Sequence, residues 1–92
     1  MAVHCASFQL GRIVITPNAL GQLTSADIQL GLERHQTGDW GDLGEEDWEV
    51  NDTSLRSGSR LLSVYRATSG VTFWIITEAS REATTILMPD DY

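Results

Sequence analysis

Two strand-length runs, residues 60–68 and 71–78, flank the compact turn pair Ser69-Gly70, and this constrains the fold more than any other feature. Such a pattern predicts an antiparallel hairpin. With Thr68 opposite Val71, Tyr65 faces Trp74 and Val64 faces Ile75. One face then carries Leu62, Val64, Phe73 and Ile75, and the other carries Leu61, Tyr65, Trp74 and Ile76. A strand apolar on both faces is usually central and covered on both sides. A third run, residues 83–88, follows the polar turn 79–82 and stops at Pro89, which completes a three-stranded meander.

Upstream, residues 9–16 alternate as a strand, with Leu10, Arg12 and Val14 on one face and Gly11, Ile13 and Ile15 on the other. Thr16-Pro17 marks a helix start, Thr16 as N-cap and Pro17 where a missing N–H is harmless; this helix is short and Gly21 helps to end it. A second helix begins at Thr24-Ser25, with Ser25 as its N-cap and Asp27 in the first turn. Ile28, Leu32 and His35 fall on one of its faces, and Gly38 is the expected stop. A third helix, 44–57, opens with Glu45, Glu46 and Asp47 and closes with Arg56, the polarity a helix dipole favours. Its apolar stripe is thin, so Trp48 and Leu55 are its expected anchors, and Gly58 its stop.

The order strand, two or three helices, then meander defines an α+β domain over residues 1–92. The expected architecture is a mostly antiparallel four-stranded sheet with helices on one face and a flexible segment at 1–7. The face carrying Leu61, Tyr65, Trp74 and Ile76 is then left for a second protomer, so a homodimer is expected.

Ninety-two residues support one core that buries about 60–65% of the unfolded surface. The longest apolar runs are strand-sized, no secretory signal is visible, and a lone Cys5 leaves no internal disulfide or multi-cysteine zinc site. A cytoplasmic location, no cofactor and no metal are the expectations. Charge says more. The net charge is -7, the cations are six arginines with no lysine, and seven of the thirteen acids lie in residues 39–52 without a basic residue among them. That run is either a solvated helix face or a surface that attracts a basic partner by imitating phosphate charge. Direct nucleic-acid binding, which needs cations against phosphates, is disfavoured in both cases.

Arg34-His35-Gln36-Thr37-Gly38-Asp39-Trp40-Gly41 collects the residues able to do chemistry. His35 is the sole credible acid–base group, although a histidine at a helix end is more often a cap or packing residue. A ribonuclease would need His35 with Arg34 and Asp39, and Arg60, Arg66 and Tyr65 are further candidates that no spacing ties together. His35 and Asp39 stand at i, i+4 but Gly38 breaks the helix between them, and Gly38-Asp39-Trp40-Gly41 lacks the spacing and lysine of a phosphate loop. Trp40, between two glycines, either folds back onto the core or projects as a protein-binding anchor. The candidate partner-binding set is Trp40, Asp42, Glu45, Glu46, Trp48 and Glu49.

Together with Ile15-Thr16-Pro17-Asn18-Ala19-Leu20, Ser59-Arg60-Leu61-Leu62-Ser63-Val64-Tyr65, Trp74-Ile75-Ile76-Thr77-Glu78 and the closing Thr84-Thr85-Ile86-Leu87-Met88-Pro89-Asp90-Asp91-Tyr92, that segment resembles a family of small bacterial plasmid-related proteins common in mobile elements. The resemblance covers nearly the whole chain. Relatives tend to close with Leu-Pro-Glu-Glu-Tyr, from which Met88 and the Asp90-Asp91 pair depart. It implies a fold and a genomic setting and no catalytic residue. A more distant likeness, at fold level alone, is to RelE- and barnase-like ribonucleases. The expected function is a non-enzymatic acidic module that binds a protein with a basic surface, in its most concrete form an inhibitor of anti-CRISPR or antirestriction type. The alternatives are a small ribonuclease using His35, or a structural or antitoxin-like partner protein.

Overall fold

The helix boundaries follow local chemistry. The computed structural model describes residues 8–92; the expected flexible segment 1–7 lies outside them. Helix α1, Pro17–Gln22, starts where Thr16 Oγ1 accepts the Ala19 N–H at 3.1 Å. Helix α2, Ser25–Gln36, is capped one residue earlier than expected, by Thr24 and not Ser25. Thr24 Oγ1 accepts the Asp27 N–H at 3.0 Å while the Asp27 carboxylate accepts the Thr24 N–H at 3.1 Å, a reciprocal capping box. Helix α3, Glu45–Ser57, ends at Gly58, whose φ of 83° is the left-handed conformation that glycine adopts without strain.

Strands β1 (Arg12–Ile15), β2 (Leu61–Arg66), β3 (Thr72–Thr77) and β4 (Ala83–Leu87) form one sheet in the order β1-β4-β3-β2. The β2–β3 and β3–β4 pairs are antiparallel, while β1 runs parallel to β4. Parallel neighbours need a long crossover, and the three helices and the meander between β1 and β4 supply it. The molecule is thus α+β, with three helices and a mostly antiparallel sheet. Strand β1 is shorter than expected because Gly11, just before it, takes φ 66°, outside the extended region, and the Leu10 carbonyl accepts from the Thr84 hydroxyl at 2.7 Å instead of joining the ladder.

The hairpin register differs from expectation by one residue. Ala67 donates to the Val71 carbonyl at 2.8 Å and Gly70 to the Ala67 carbonyl at 2.9 Å, so the loop is three residues long, with Gly70 at φ 98°. Tyr65 therefore pairs with Phe73 and Val64 with Trp74. A shift of one residue changes which side chains share a face. Leu61 and Tyr65 point toward the helices with Ser63, Phe73, Ile75, Thr77, Thr84 and Ile86, and all are buried. Trp74 and Ile76 lie on the opposite face with Leu87. The four residues expected to form a dimer face are split between the two sides, and that surface does not exist. The Trp74 side is met by the chain's own end: the Tyr92 ring packs 5.7 Å from Trp74, and its hydroxyl accepts from Arg60 at 2.6 Å. The 3-10 turn Pro89–Asp91 before it is pinned by the Asp91 carboxylate, which accepts the Thr16 hydroxyl at 2.6 Å and the Met88 N–H at 2.9 Å.

Helices α1 and α2 lie over β4 and β3. Gly31 lets α2 approach closely, since a Cβ there would stand 3.1 Å from Ile75 Cδ1 and 3.2 Å from the Phe73 ring. The core joins Ala19, Leu23, Tyr65, Phe73, Ile75, Ile86 and Met88, with Ile15, Ile28, Leu32 and Val71 packed at its margin. Helix α3 is placed otherwise than expected. It sits against β2 and buries Asn51 and Ser54, while Trp48 and Leu55 are only half-buried. Its anchor is polar.

Candidate functional site

His35, in the last turn of α2, is wholly buried under the sheet. Its Nδ1 lies 2.6 Å from Ser63 Oγ on β2 and its Nε2 lies 2.8 Å from Thr77 Oγ1 on β3. Thr77 Oγ1 is in turn 2.7 Å from Thr84 Oγ1 on β4, and Thr84 donates to the Leu10 carbonyl. The ring is flanked edge-on by Phe8 at 5.3 Å and Trp40 at 5.6 Å. Burial, aided by the positive charge of Arg81, pulls the imidazole down to about 3. His35 is thus uncharged at neutral pH. A serine hydroxyl on a histidine nitrogen is the beginning of a nucleophilic dyad, but Ser63 and His35 are both fully buried and no substrate reaches them in this arrangement.

Arg34 and Asp39, the proposed companions of His35, turn to each other instead. Arg34 Nε and Nη2 donate to the two Asp39 oxygens at 2.7 and 3.2 Å, and the guanidinium lies 4.6 Å from the Tyr65 ring centre. Their hydrogen-bonded pairing holds the Asp39 carboxyl below its ordinary value and raises Arg34. Tyr65 donates to the Asp39 carbonyl at 2.5 Å, and burial pushes its hydroxyl well above the ordinary phenol range. Arg60 is engaged with Tyr92, and Arg66 lies at the exposed end of β2. Among the described residues no three of His, Cys, Asp and Glu converge as a metal site would require.

Trp40 folds back. It is fully buried, and its Nε1 donates to the Asp52 carboxylate at 2.9 Å, so it ties the 38–42 segment to α3 and offers no projecting anchor. Its neighbour Gly41 adopts φ 76° where a Cβ would collide with the Val64 carbonyl and the Tyr65 ring. This close approach lets residues 40–42 pair with the outer edge of β2: Val64 donates to the Trp40 carbonyl at 3.1 Å and accepts from the Asp42 N–H at 2.7 Å. One step along that edge, the Asn51 amide bonds both the Leu62 carbonyl and, at 3.2 Å, the Leu62 N–H.

The rest of the partner-binding set is outward. Asp42, Glu45, Glu46 and Glu49 are exposed and Trp48 is half-buried. Glu46, Glu49, Val50, Thr53, Ser54, Ser57 and Ser59 line an open groove of about 560 Å³ along α3, with Val50 61% exposed within it. Ser63, Thr77 and Thr84 are site residues beyond the sequence-predicted set; their one signal is that each takes an inward position in its strand, where an apolar residue is the ordinary choice. The role of Asn51 left no such trace, because its partner is main chain.

Compared with family models, curated proteins and solved structures, the chain matches none. Among the described residues, no helix is long and apolar enough to cross a membrane.

Proposed function

We propose that the protein is a non-enzymatic, acidic protein-binding module whose outward face on α3 meets a basic surface of its partner. The observation that carries this reading is that Asp42, Glu45, Glu46 and Glu49 are all exposed, and that Glu46 and Glu49 line a groove with Val50 in its wall. No basic residue lies in 39–52, and of the four only Asp42 is among the charges that act on Arg34. A concentrated negative field steers a cationic partner, and a rim of carboxylates presents negative charge as a polyanion does. The exposed Val50 supplies the apolar contact that charge alone lacks. In its most specific form the partner is a nucleic-acid-handling enzyme of a host defence system. The module, carried on a mobile element, would occupy the groove meant for nucleic acid. Burial of His35 in a neutral state weighs against the ribonuclease alternative, since a general acid or base must reach its substrate.

The test is a pull-down from a bacterial host lysate. It compares the wild-type chain with one carrying Asp42→Asn, Glu45→Gln, Glu46→Gln and Glu49→Gln. The expected outcome is a captured basic protein whose affinity falls at least about tenfold in the neutral variant and weakens steeply as salt shortens the screening length from about 10 Å toward 3 Å. Capture indifferent to both changes, or RNA cleavage lost in His35→Ala, would overturn the reading.

A further inference from the structure

The relay around His35 has only one consistent direction. A carbonyl oxygen only accepts, so the Thr84 hydroxyl must donate to Leu10. Its single proton is then spent, and Thr84 Oγ1 must accept from Thr77 across 2.7 Å. The Thr77 proton is spent in turn, so Thr77 Oγ1 accepts from His35 Nε2, which therefore carries hydrogen. A neutral imidazole has one N–H, which leaves Nδ1 as the acceptor of the Ser63 hydroxyl. Every proton in the chain from β2 through α2, β3 and β4 to Leu10 is thus assigned, and its four side chains are wholly buried.

We propose that His35 is an acid-sensitive latch: its uncharged Nε2–H form closes the relay, and uptake of a proton at Nδ1 opens the junction of α2, the sheet and the Trp40 segment. A proton there sets a donor against the Ser63 hydroxyl, whose own hydrogen must then find another acceptor. It also places a full charge beside Phe8 and Trp40. From the β3–β4 turn the facing charge is Arg81, of the wrong sign; from α2 and the following segment, Arg34 and Asp39 are paired with each other; from α3, Asp52 is bonded to the Trp40 indole; from β2, Tyr65 donates to Asp39. None of these carboxylates is among the influences on the ring.

The sign follows from proton counting. The folded chain refuses a proton that the unfolded chain accepts at an ordinary imidazole value near 6.5, so stability is full above that pH and declines as pH falls toward about 3. The carboxyls held low in the fold, Asp27, Asp39 and Asp91, start from 3.8 when unfolded and act mainly below about pH 4.5. The interval between about pH 4.5 and 6 therefore belongs to the histidine.

The test uses the chain with His4→Ala, so that one imidazole remains, and reads its ring nitrogens by NMR during an acid titration. The expected result is a protonated Nε2 and an acceptor-type Nδ1 that persist below pH 5 for as long as the native spectrum does. In parallel, the unfolding equilibrium in urea shifts by about tenfold per pH unit between pH 6 and 4.5. Replacing His35→Gln flattens that dependence, while Thr77→Ser, which keeps the hydroxyl, preserves both it and the tautomer. An Nδ1–H ring, or one that titrates near 6.5 within an intact native spectrum, overturns the proposal, and the NMR reading needs no His35 variant to fold.

Discussion

The two edges of the sheet are treated in opposite ways. At β2, the outward main-chain groups at the centre of the strand are occupied: the Asn51 side chain takes both groups of Leu62, and residues 40–42 take both groups of Val64. At β1, Arg12 and Thr16 donate inward to Glu82 and Ile86, so by alternation the main-chain groups of Ile13 and Ile15 point away from the sheet. Among the described residues no main-chain partner meets them. Ile13 and Val14 are 40% and 37% exposed. One edge is thus closed by fixed, partly buried hydrogen bonds that also position α3 and its acidic face. The other is a short strand with charge supplied only by Arg12. The lesson is that α3 is held to the sheet by satisfied polar groups more than by apolar burial, in keeping with its two buried residues being Asn51 and Ser54.

From that contrast, changes at the β2 edge are expected to be costly and changes at the β1 edge are not. The largest effect is expected for Gly41→Val, which puts a β-branched side chain at a positive φ and into the Val64 carbonyl. A loss of about 3 kcal/mol or more in urea unfolding is expected. Asn51→Ala should follow, at about 2–3 kcal/mol, because it leaves both Leu62 groups unsatisfied beneath a helix. Hydrogen exchange would localise the damage to Leu62. Trp40→Phe keeps most of the buried ring and loses the bond to Asp52, so about 1 kcal/mol is expected. The smallest effect belongs to Ile13→Lys, at most about 0.5 kcal/mol, since an exposed edge position loses little by gaining a charge. If Ile13→Lys costs as much as Asn51→Ala, the asymmetry between the edges is not energetic.

Local signals made the helices legible. Thr16-Pro17 and Gly58 mark boundaries by the conformations they allow, and the acidic face could be located because exposed carboxylates depend on nothing distant. The hairpin register was not legible, because Ser69-Gly70 fits a two-residue and a three-residue turn alike and the choice between them flips Tyr65 relative to Trp74. The state of His35 was hidden for a related reason. Its partners Ser63, Thr77 and Thr84 lie 28 to 49 residues away, and only pairing of three strands in the correct register assembles them. Trp40 stood between two glycines that permit either outcome, and Asp52, twelve residues on, decides it.

A sheet with one closed edge has an arithmetic of its own. Edge-to-edge pairing of identical chains grows without limit only when each copy offers two free edges, one to receive and one to pass on. Here a contact through β1 would be the last of its kind, because both outer ends of the joined sheet would be β2 edges already held by Asn51 and residues 40–42. The asparagine that seats α3 therefore has a second consequence: by holding Leu62 it blocks pairing at the centre of the β2 edge, so that a contact through β1 would join two copies and not a growing series.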